Sequence, residues 1–518
     1  MRYNDEDMTL LIKNVKVLGT GTGTGTDASA ERKADVFVSG ETISAIGDFA
    51  RKEADEVVDG GGGWLAPGFI DVDTTSDHYL SLFDNPGQAD FLAQGVTTIV
   101  GGHCGASLAP LLYGTLESVR KWGDPNKVNV DWHTMGEFLA RLARLPLGVN
   151  FATFAGHGTI RRAIIGEDVR ELTKNERDVM AQVVARALAE GAVGLSTGLE
   201  YVHARLTTAR ELAPLTKLVQ EAGGIYSTHL RRTGAGVADA LAEALALAKE
   251  SGVSTLVTHF MPFRGHEREY AKAMGLLDAL PKDADVHADV HPWGGSMVPF
   301  YRFLPEWART GTLDIMAKGV RDEWLAKRIA KELPEVAPEE FVIAEAPEQN
   351  ILVGETLKDF MATAEIADPR QALMKLLAMT GLRGVAYVQN VDRAAADAML
   401  AHPRTLIASH APALARRPHE KLFQSPRAVD TFPEFLRRVV GKHLLSLPDA
   451  VKKITAAPAA KFGLANRGWI KEGYAADLAV FDAKDFKVRT VVVNGAVAVR
   501  DGAPTEAHRG RPLRHRRA

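Results

Sequence analysis

Cysteine is almost absent from this chain: Cys104 is the only one in 518 residues. A single thiol cannot form an intramolecular disulfide, so no covalent staple holds the fold, and the composition fits a reducing compartment. Also missing is any apolar run of 18 residues, the length a helix needs to cross a bilayer. Charge of one sign is scarce, since 62 Lys and Arg face 65 Asp and Glu for a net charge of -3. That balance provides neither a broadly basic surface for nucleic acid nor a strong field for an acidic partner. Residues Met1 to Asp7 are acidic and lack the short apolar core of a secretory signal. The expectation is a soluble, cytoplasmic protein with no nucleic-acid or membrane partner; its oligomeric state is not legible. At the other end, Arg509 to Ala518 is basic through Arg511, Arg514, Arg516 and Arg517, and so short a run is expected to be a solvated tail.

What is present is apolar material for a large core: 46% of residues are hydrophobic and 25% charged, in a chain longer than one ordinary domain. Both ends have the texture of short strands and turns. Leu10 to Val17, Asp35 to Val38 and Thr42 to Ile46 lie near the start, with Ala476 to Phe481 and Val488 to Gly495 near the end. The Gly-Thr repeat between Gly19 and Thr26 reads as a polar loop. Two such ends around a different middle predict one β-sandwich-like domain assembled from residues 1–66 and 460–518.

The middle, residues 67–459, alternates short apolar strands with Ala-rich helices, the pattern of βα units on a parallel sheet. Strands are predicted at Gly68 to Val72, Thr97 to Val100, Asn150 to Phe154, Val193 to Ser196, Ile225 to Thr228, Thr255 to Thr258, Asp285 to Val290 and Thr405 to Ser409. Eight strands suit an α/β fold of the closed (β/α)8 TIM-like barrel type. A ninth candidate, Gly384 to Val388, leaves the count open by one. A stretch rich in Glu, Lys and Pro separates the last two strands, and about 294–381 is read as an inserted small domain placed to cover the barrel mouth.

In such barrels chemistry is assembled at the carboxyl ends of the strands, where residues distant in sequence converge. Asp73, Cys104, His229, His259 and His410 each follow a strand. One thiolate and two imidazoles, from Cys104, His229 and His259, form the N and S ligand set that zinc accepts, with a fourth position open for catalysis. Gly60-Gly61-Gly62-Gly63 lacks the strand-then-helix context of a phosphate-binding loop.

Several motifs resemble the D-aminoacylase (N-acyl-D-amino-acid deacylase) branch of the amidohydrolase superfamily. They are Ala66-Pro67-Gly68-Phe69-Ile70-Asp71, Gln94-Gly95-Val96-Thr97-Thr98, Cys104-Gly105-Ala106-Ser107-Leu108-Ala109-Pro110, Gly156-His157-Gly158-Thr159-Ile160-Arg161, Gly194 to Tyr201 and Ala459 to Leu464. The match runs in order from about Asn14 to Asp482. The resemblance implies a zinc-bearing barrel, a β domain from both termini and a late insertion. It also implies one tightly held zinc on Cys104, His229 and His259, and hydrolysis of the amide of a small molecule, by default an N-acyl-D-amino acid.

Two positions depart from the family pattern. Where the family carries His-x-His after the first strand, this chain has Asp73-Thr74-Thr75; where it carries a catalytic aspartate after the last, this chain has Ser409-His410-Ala411. First and eighth strands of a barrel are neighbours, so the two changes can be one exchange. On that reading Asp73 hydrogen-bonds His410 and orients it as acid or base beside the zinc. Whether a second metal visits the Asp73 side stays open. His157 and Arg161 match the family's Gly-His-x-x-x-Arg stretch, and Arg231 has the fork to meet a carboxylate bidentately; all three are candidates for substrate binding. His259-Phe260-Met261 and His291-Pro292-Trp293 stand where the branch carries a lysine and a tyrosine, which keeps an uncharged or cyclic amide in view. A catalytically silent barrel that binds a small molecule or partner is the remaining alternative.

Overall fold

Eight short parallel strands carry the middle of the chain: Phe69–Asp71, Val96–Gly101, Asn150–Thr153, Gly194–Gly198, Ile225–His229, Ser254–Val257, Val286–Val290 and Thr405–Ile407. The structure, a computed structural model, describes residues 8–19, 32–49, 52–113, 115–120, 122–414, 421 and 423–515. The first three strands pair in one sheet and the last five in another. The third strand joins the two sheets, because Ala155–Gly156, directly after it, pairs with the fourth. At the far edges His410 N–H donates to Asp73 O at 2.8 Å and Ser409 N–H to Asp71 Oδ1 at 3.0 Å, tying the eighth strand's exit to the first's.

These strands are buried along nearly their whole length, with Ile70, Val100, Ala152, Leu256 and Ala408 packed in one apolar cluster. Strands covered on both faces need no strict polar alternation, and short runs of Val, Ile, Leu, Phe and small residues made them legible. The connecting helices begin where short polar side chains accept backbone N–H groups. Thr134 and Glu137 form a capping box on Met135–Leu142, as do Thr173 and Glu176 on Lys174–Ala189.

Strands from both termini share one hydrogen-bonded sheet of nine. Thr9–Val17, Arg32–Ser39, Thr42–Gly47, Glu56–Asp59 and Trp64–Pro67 join Leu478–Phe481, Val488–Val493, Ala496–Arg500 and Ala503–Pro504. The N-terminal part meets the C-terminal part where Trp64–Pro67 runs antiparallel to Leu478–Phe481. Gly60 to Gly63 makes the tight turn before Trp64, with Gly61 and Gly62 at φ 60° and 75°. Most of the Gly-Thr repeat and the residues 1–7 lie outside the described residues.

The ninth strand candidate has a separate home. Val385–Val388 pairs antiparallel with Ser296–Pro299 and Phe341–Glu345 in a small sheet of its own. That sheet and the helices Leu313–Arg321, Glu323–Glu332, Leu357–Thr363 and Pro369–Met379 enclose a second core containing Phe300, Phe341, Ile343 and Leu376, all fully buried. This layer thus extends past residue 381 to the strand ending at Val388.

The C-terminal basic stretch is not the solvated tail expected. Gly510 N–H donates to Leu147 O, Phe151 N–H to Arg511 O, Leu513 N–H to Phe151 O and His515 N–H to Gly191 O, while Leu513 packs against the cluster of Ile70 and Phe154. Backbone groups of an extended segment need partners as much as those of a strand, and here the third strand's start supplies them. Arg516 and Arg517 lie outside the described residues.

Candidate metal centre and active site

Cys104 follows the second strand through Gly102 at φ 78°, where a Cβ would lie 2.5 Å from the backbone oxygen of Phe154. Only glycine makes that turn, and it swings the cysteine back over the strand end. His229 ends the fifth strand opposite Gly198, and His259 stands two residues beyond the sixth. The result is close convergence. Cys104 Sγ is 3.1 Å from His259 Nε2 and 4.0 Å from His229 Nδ1, and those nitrogens are 3.2 Å apart. One sulfur and two imidazole nitrogens at this separation are the donor set that zinc takes. Burial, with His229 and His103 nearby, holds the His259 imidazole well below its usual range, which keeps the ring in the neutral form that ligates.

The supporting groups were not singled out from sequence. His259 N–H donates to Asp289 Oδ1 at 2.6 Å, and His229 Nε2 lies 2.9 Å from Glu200 Oε2. Cys104, His259 and His410 all have positive φ, at 57°, 36° and 45°. Such backbone costs on the order of 1–3 kcal/mol per residue and persists only where its surroundings hold it, a common state of functional sites.

Asp73, His259 and His410 form a second convergent set sharing His259, one ligand atom from each lying within 4.8 Å of the others. The rings of His259 and His410 are 4.3 Å apart at their centroids. The expected side-chain bond between Asp73 and His410 is not made. Asp73 is wholly buried and neither carboxylate oxygen has a hydrogen-bond partner among the described residues. Contact instead runs through the backbone, from His410 N–H to Asp73 O. The imidazole is drawn the other way by Arg427, whose Nη2 lies 3.4 Å from His410 Nδ1 and also donates to His410 O. Since arginine only donates, Nδ1 accepts in this pair and Nε2 carries the ring proton. Burial, then the charges of Asp289, Asp71 and Asp77, push the Asp73 carboxyl well above the usual carboxylate range. Burial, then His259 and Arg427, hold His410 well below the usual imidazole range.

Arg427 itself is 2% exposed, and its Nε has no hydrogen-bond partner among the described residues. It sits just inside the helix Pro426–Gly441, capped by Ser425, and its other amino group reaches toward His291 Nε2 at 3.5 Å. The guanidinium is thus buried beside the His410 ring with Nη2 bonded to His410 O and Nε unpartnered among the described residues.

The three proposed substrate contacts are committed elsewhere. His157 Nε2 lies 2.7 Å and Arg161 Nε 3.1 Å from Glu211 Oε1, all three residues buried, and Arg161 Nη1 donates to His203 O. Arg231 does grip a carboxylate bidentately, but it is that of Glu243. A buried cation needs a fixed counter-charge. Buried Arg161 and half-buried Arg231 find theirs in the protein, and sequence spacing could not reveal partners 50 and 12 residues away. Glu200 and Asp289 were within reach of the strand-end argument, since each lies at or just beyond the end of a parallel strand. Arg427 was not, for it follows a loop with no periodic signal.

With this geometry in hand, resemblances to known proteins fall into line. Residues 419–499 match the model of the Amidohydrolase family. A D-aminoacylase of Alcaligenes xylosoxydans xylosoxydans is 31% identical over 510 residues, covering 93% of this chain and 94% of that protein. An N-acyl-D-glutamate deacylase of the same organism is 30% identical over 505 residues, with 93% of each covered. Among solved structures, the N-acyl-D-glutamate deacylase from Bordetella bronchiseptica, complexed with zinc and a phosphonate mimic of the tetrahedral intermediate, superposes with a TM-score of 0.79. Its sequence is 27% identical, with 98% of this chain and 100% of that one covered. A dihydropyrimidinase from Brevibacillus agri, 16% identical and covering 98% and 99% of the two chains with a TM-score of 0.56, shares the fold.

Proposed function

The chain belongs to the D-aminoacylase (N-acyl-D-amino-acid deacylase) family of amidohydrolases, and from that premise we propose that it hydrolyses the amide bond of N-acyl-D-amino acids. It is a hydrolase of carbon-nitrogen bonds other than peptide bonds. The observation that carries the reading is the convergence of Cys104, His229 and His259 within 4.0 Å. These three would hold one zinc ion, and because His259 belongs to both convergent sets, only Asp73 and His410 remain for a second. When bound, zinc supplies Lewis acidity toward the scissile carbonyl and the attacking water.

The rest of the chemistry falls to this chain's own side chains. His410, neutral with its one proton on Nε2, keeps that proton and donates a hydrogen bond toward the reacting centre. Asp73, with two unpartnered oxygens in the same convergent set, in its ionised form accepts the proton of the attacking water and passes it to the leaving nitrogen. Arg427 receives the carboxylate of the substrate, which favours a charged N-acyl amino acid over an uncharged or cyclic amide. It takes over the task that the absent lysine and tyrosine left open. His157, Arg161 and Arg231 act by holding Glu211 and Glu243 rather than by touching substrate.

The framework proposed for this chemistry is a closed (β/α)8 barrel over 67–459, supported by the bonds from Ser409 and His410 to the first strand's exit. The remaining parts are a composite β domain of 1–66 with 460–518 and an insertion beginning near 294. No helix among the described residues is long and apolar enough to cross a membrane, and a cytoplasmic location is part of the proposal.

Elemental analysis together with a substrate panel tests the reading. The expected result is about one zinc per chain, lost in Cys104→Ser, with turnover of N-acyl-D-amino acids and not of uncharged amides. Zinc-free protein from metal-replete growth, or turnover confined to uncharged amides, overturns it.

A further inference from the structure

Glu200 lies two residues beyond the strand Gly194–Gly198, whose last residue is in register with His229. Leu199 N–H donates to His229 O at 3.1 Å, so the backbone delivers the Glu200 side chain to the outer edge of the imidazole. Its Oε2 lies 2.9 Å from His229 Nε2. An ionised carboxylate only accepts, so Nε2 carries the proton and Nδ1, the nitrogen facing Cys104 and His259, is left with its lone pair. Oxygen Oε1 of the same carboxylate accepts from Arg302 Nη2 at 2.5 Å.

Arg302 comes from a different layer. It rides on the turn Phe300–Phe303, where Phe300 and Phe303 are both buried in the separate core of the inserted segment and Phe300 N–H donates to Gly384 O. The side chains of Arg302, Glu200 and His229 are 22%, 16% and 11% exposed. The guanidinium is therefore held from above by one core and the imidazole from below by the parallel strands, with Glu200 as the link.

We propose that Glu200 is a positioning residue for the metal ligand His229, and that Arg302 of the inserted segment fixes the Glu200 carboxylate in that role. Seating of the inserted layer and tightness of metal binding are then coupled through one carboxylate. The inference rests on the zinc reading above and adds residues that stand outside the convergent ligand sets. A carboxylate on the far nitrogen of a ligating imidazole fixes its tautomer and ring orientation and raises its basicity, and its loss ordinarily weakens metal binding by about 10- to 100-fold.

The test measures zinc affinity of the full chain by competition with a chromophoric chelator, beside the absorption spectrum of the cobalt(II)-substituted protein. The set is the parent, Glu200→Ala, Glu200→Asp, Arg302→Met and the double variant Glu200→Ala/Arg302→Met. Expected are a loss of zinc affinity of about 10- to 100-fold and a shifted cobalt spectrum in Glu200→Ala. A smaller loss is expected in Glu200→Asp, which keeps the charge but shortens the reach. Arg302→Met weakens zinc binding in the parent and adds nothing in the Glu200→Ala background, as expected of groups acting through one link. Zinc affinity in Glu200→Ala within about twofold of the parent, with an unchanged cobalt spectrum, overturns the proposal; if that variant does not fold, the same result in Glu200→Asp does so. An equal effect of Arg302→Met in both backgrounds overturns the part assigned to Arg302. A parent that takes up no zinc overturns the metal reading itself, which separates the two failures.

Discussion

Asp289 and His259 are joined by a single short hydrogen bond, from the histidine N–H to Oδ1 at 2.6 Å, and this bond holds a metal-ligand candidate in left-handed backbone. At φ 36° a non-glycine residue costs roughly 1–2 kcal/mol, so the ligand depends on its neighbour strand for its pose. In Asp289→Ala we expect a loss of stability of about 1.5–3 kcal/mol together with weaker zinc retention on dialysis against chelator. Thermal unfolding of metal-loaded and metal-stripped protein checks both. Unchanged retention would show that the bond does not position His259.

Arg427→Lys keeps the positive charge but loses the planar fork. If Arg427 receives the substrate carboxylate, KM for N-acyl-D-amino acids rises at least about tenfold while kcat falls much less. Turnover of an analogue lacking the carboxylate, already poor, is expected to stay the same. Steady-state kinetics on the two substrates separate this from a general loss of structure, which would lower both.

Asp71 is fully buried, and burial pushes its carboxyl up from 3.8 to about 7 against the downward pull of its bonds from Ser409 and Asp73. The folded protein thus binds this proton more tightly than the unfolded chain does. Its contribution to stability is fully present below about pH 4 and is lost as the pH rises through 7. Asp71→Asn, which retains an acceptor for Ser409, should equal the parent near pH 4 and exceed it by on the order of 4 kcal/mol near pH 8. Guanidinium unfolding at several pH values reads the difference, and parallel pH curves for the two proteins would contradict it.

The C-terminal strap carries its own expectation. Leu513 is anchored by its N–H to Phe151 O and by packing beside Ile70 and Phe154. Leu513→Ala is expected to lower stability by about 1–2 kcal/mol, in proportion to the apolar area it loses, whereas an alanine in a solvated tail would change nothing. Removal of residues 510–518 should cost more, because the N–H of Phe151 and the carbonyls of Leu147, Phe151 and Gly191 lose their partners together.

Much of this site was legible because it is local. Cys104, His229 and His259 each follow a run of apolar residues, and in a layered α/β fold a strand's end is where side chains turn toward the shared mouth. Those positions were found from spacing alone, as were most strand limits to within one or two residues. Val385–Val388 was also found as a strand, but its sheet was not. Four apolar residues look the same whether they join a parallel sheet or a small antiparallel one.

The partnerships were another matter. Asp73 and His410 are at the rim positions expected, yet their side chains do not bond, because Arg427 holds the imidazole and leaves both Asp73 oxygens without a partner. His157 and Arg161 look like substrate ligands in the sequence and are fixed by Glu211 in the fold. By itself the sequence determined the family, the strand-end positions of Cys104, His229 and His259 and the alternation that builds the parallel strands, since each depends on residue type and spacing along the chain. Tertiary structure alone decided which buried charge faces which. That choice depends on rotamers and desolvation among residues that lie far apart in sequence, and no local periodicity records it.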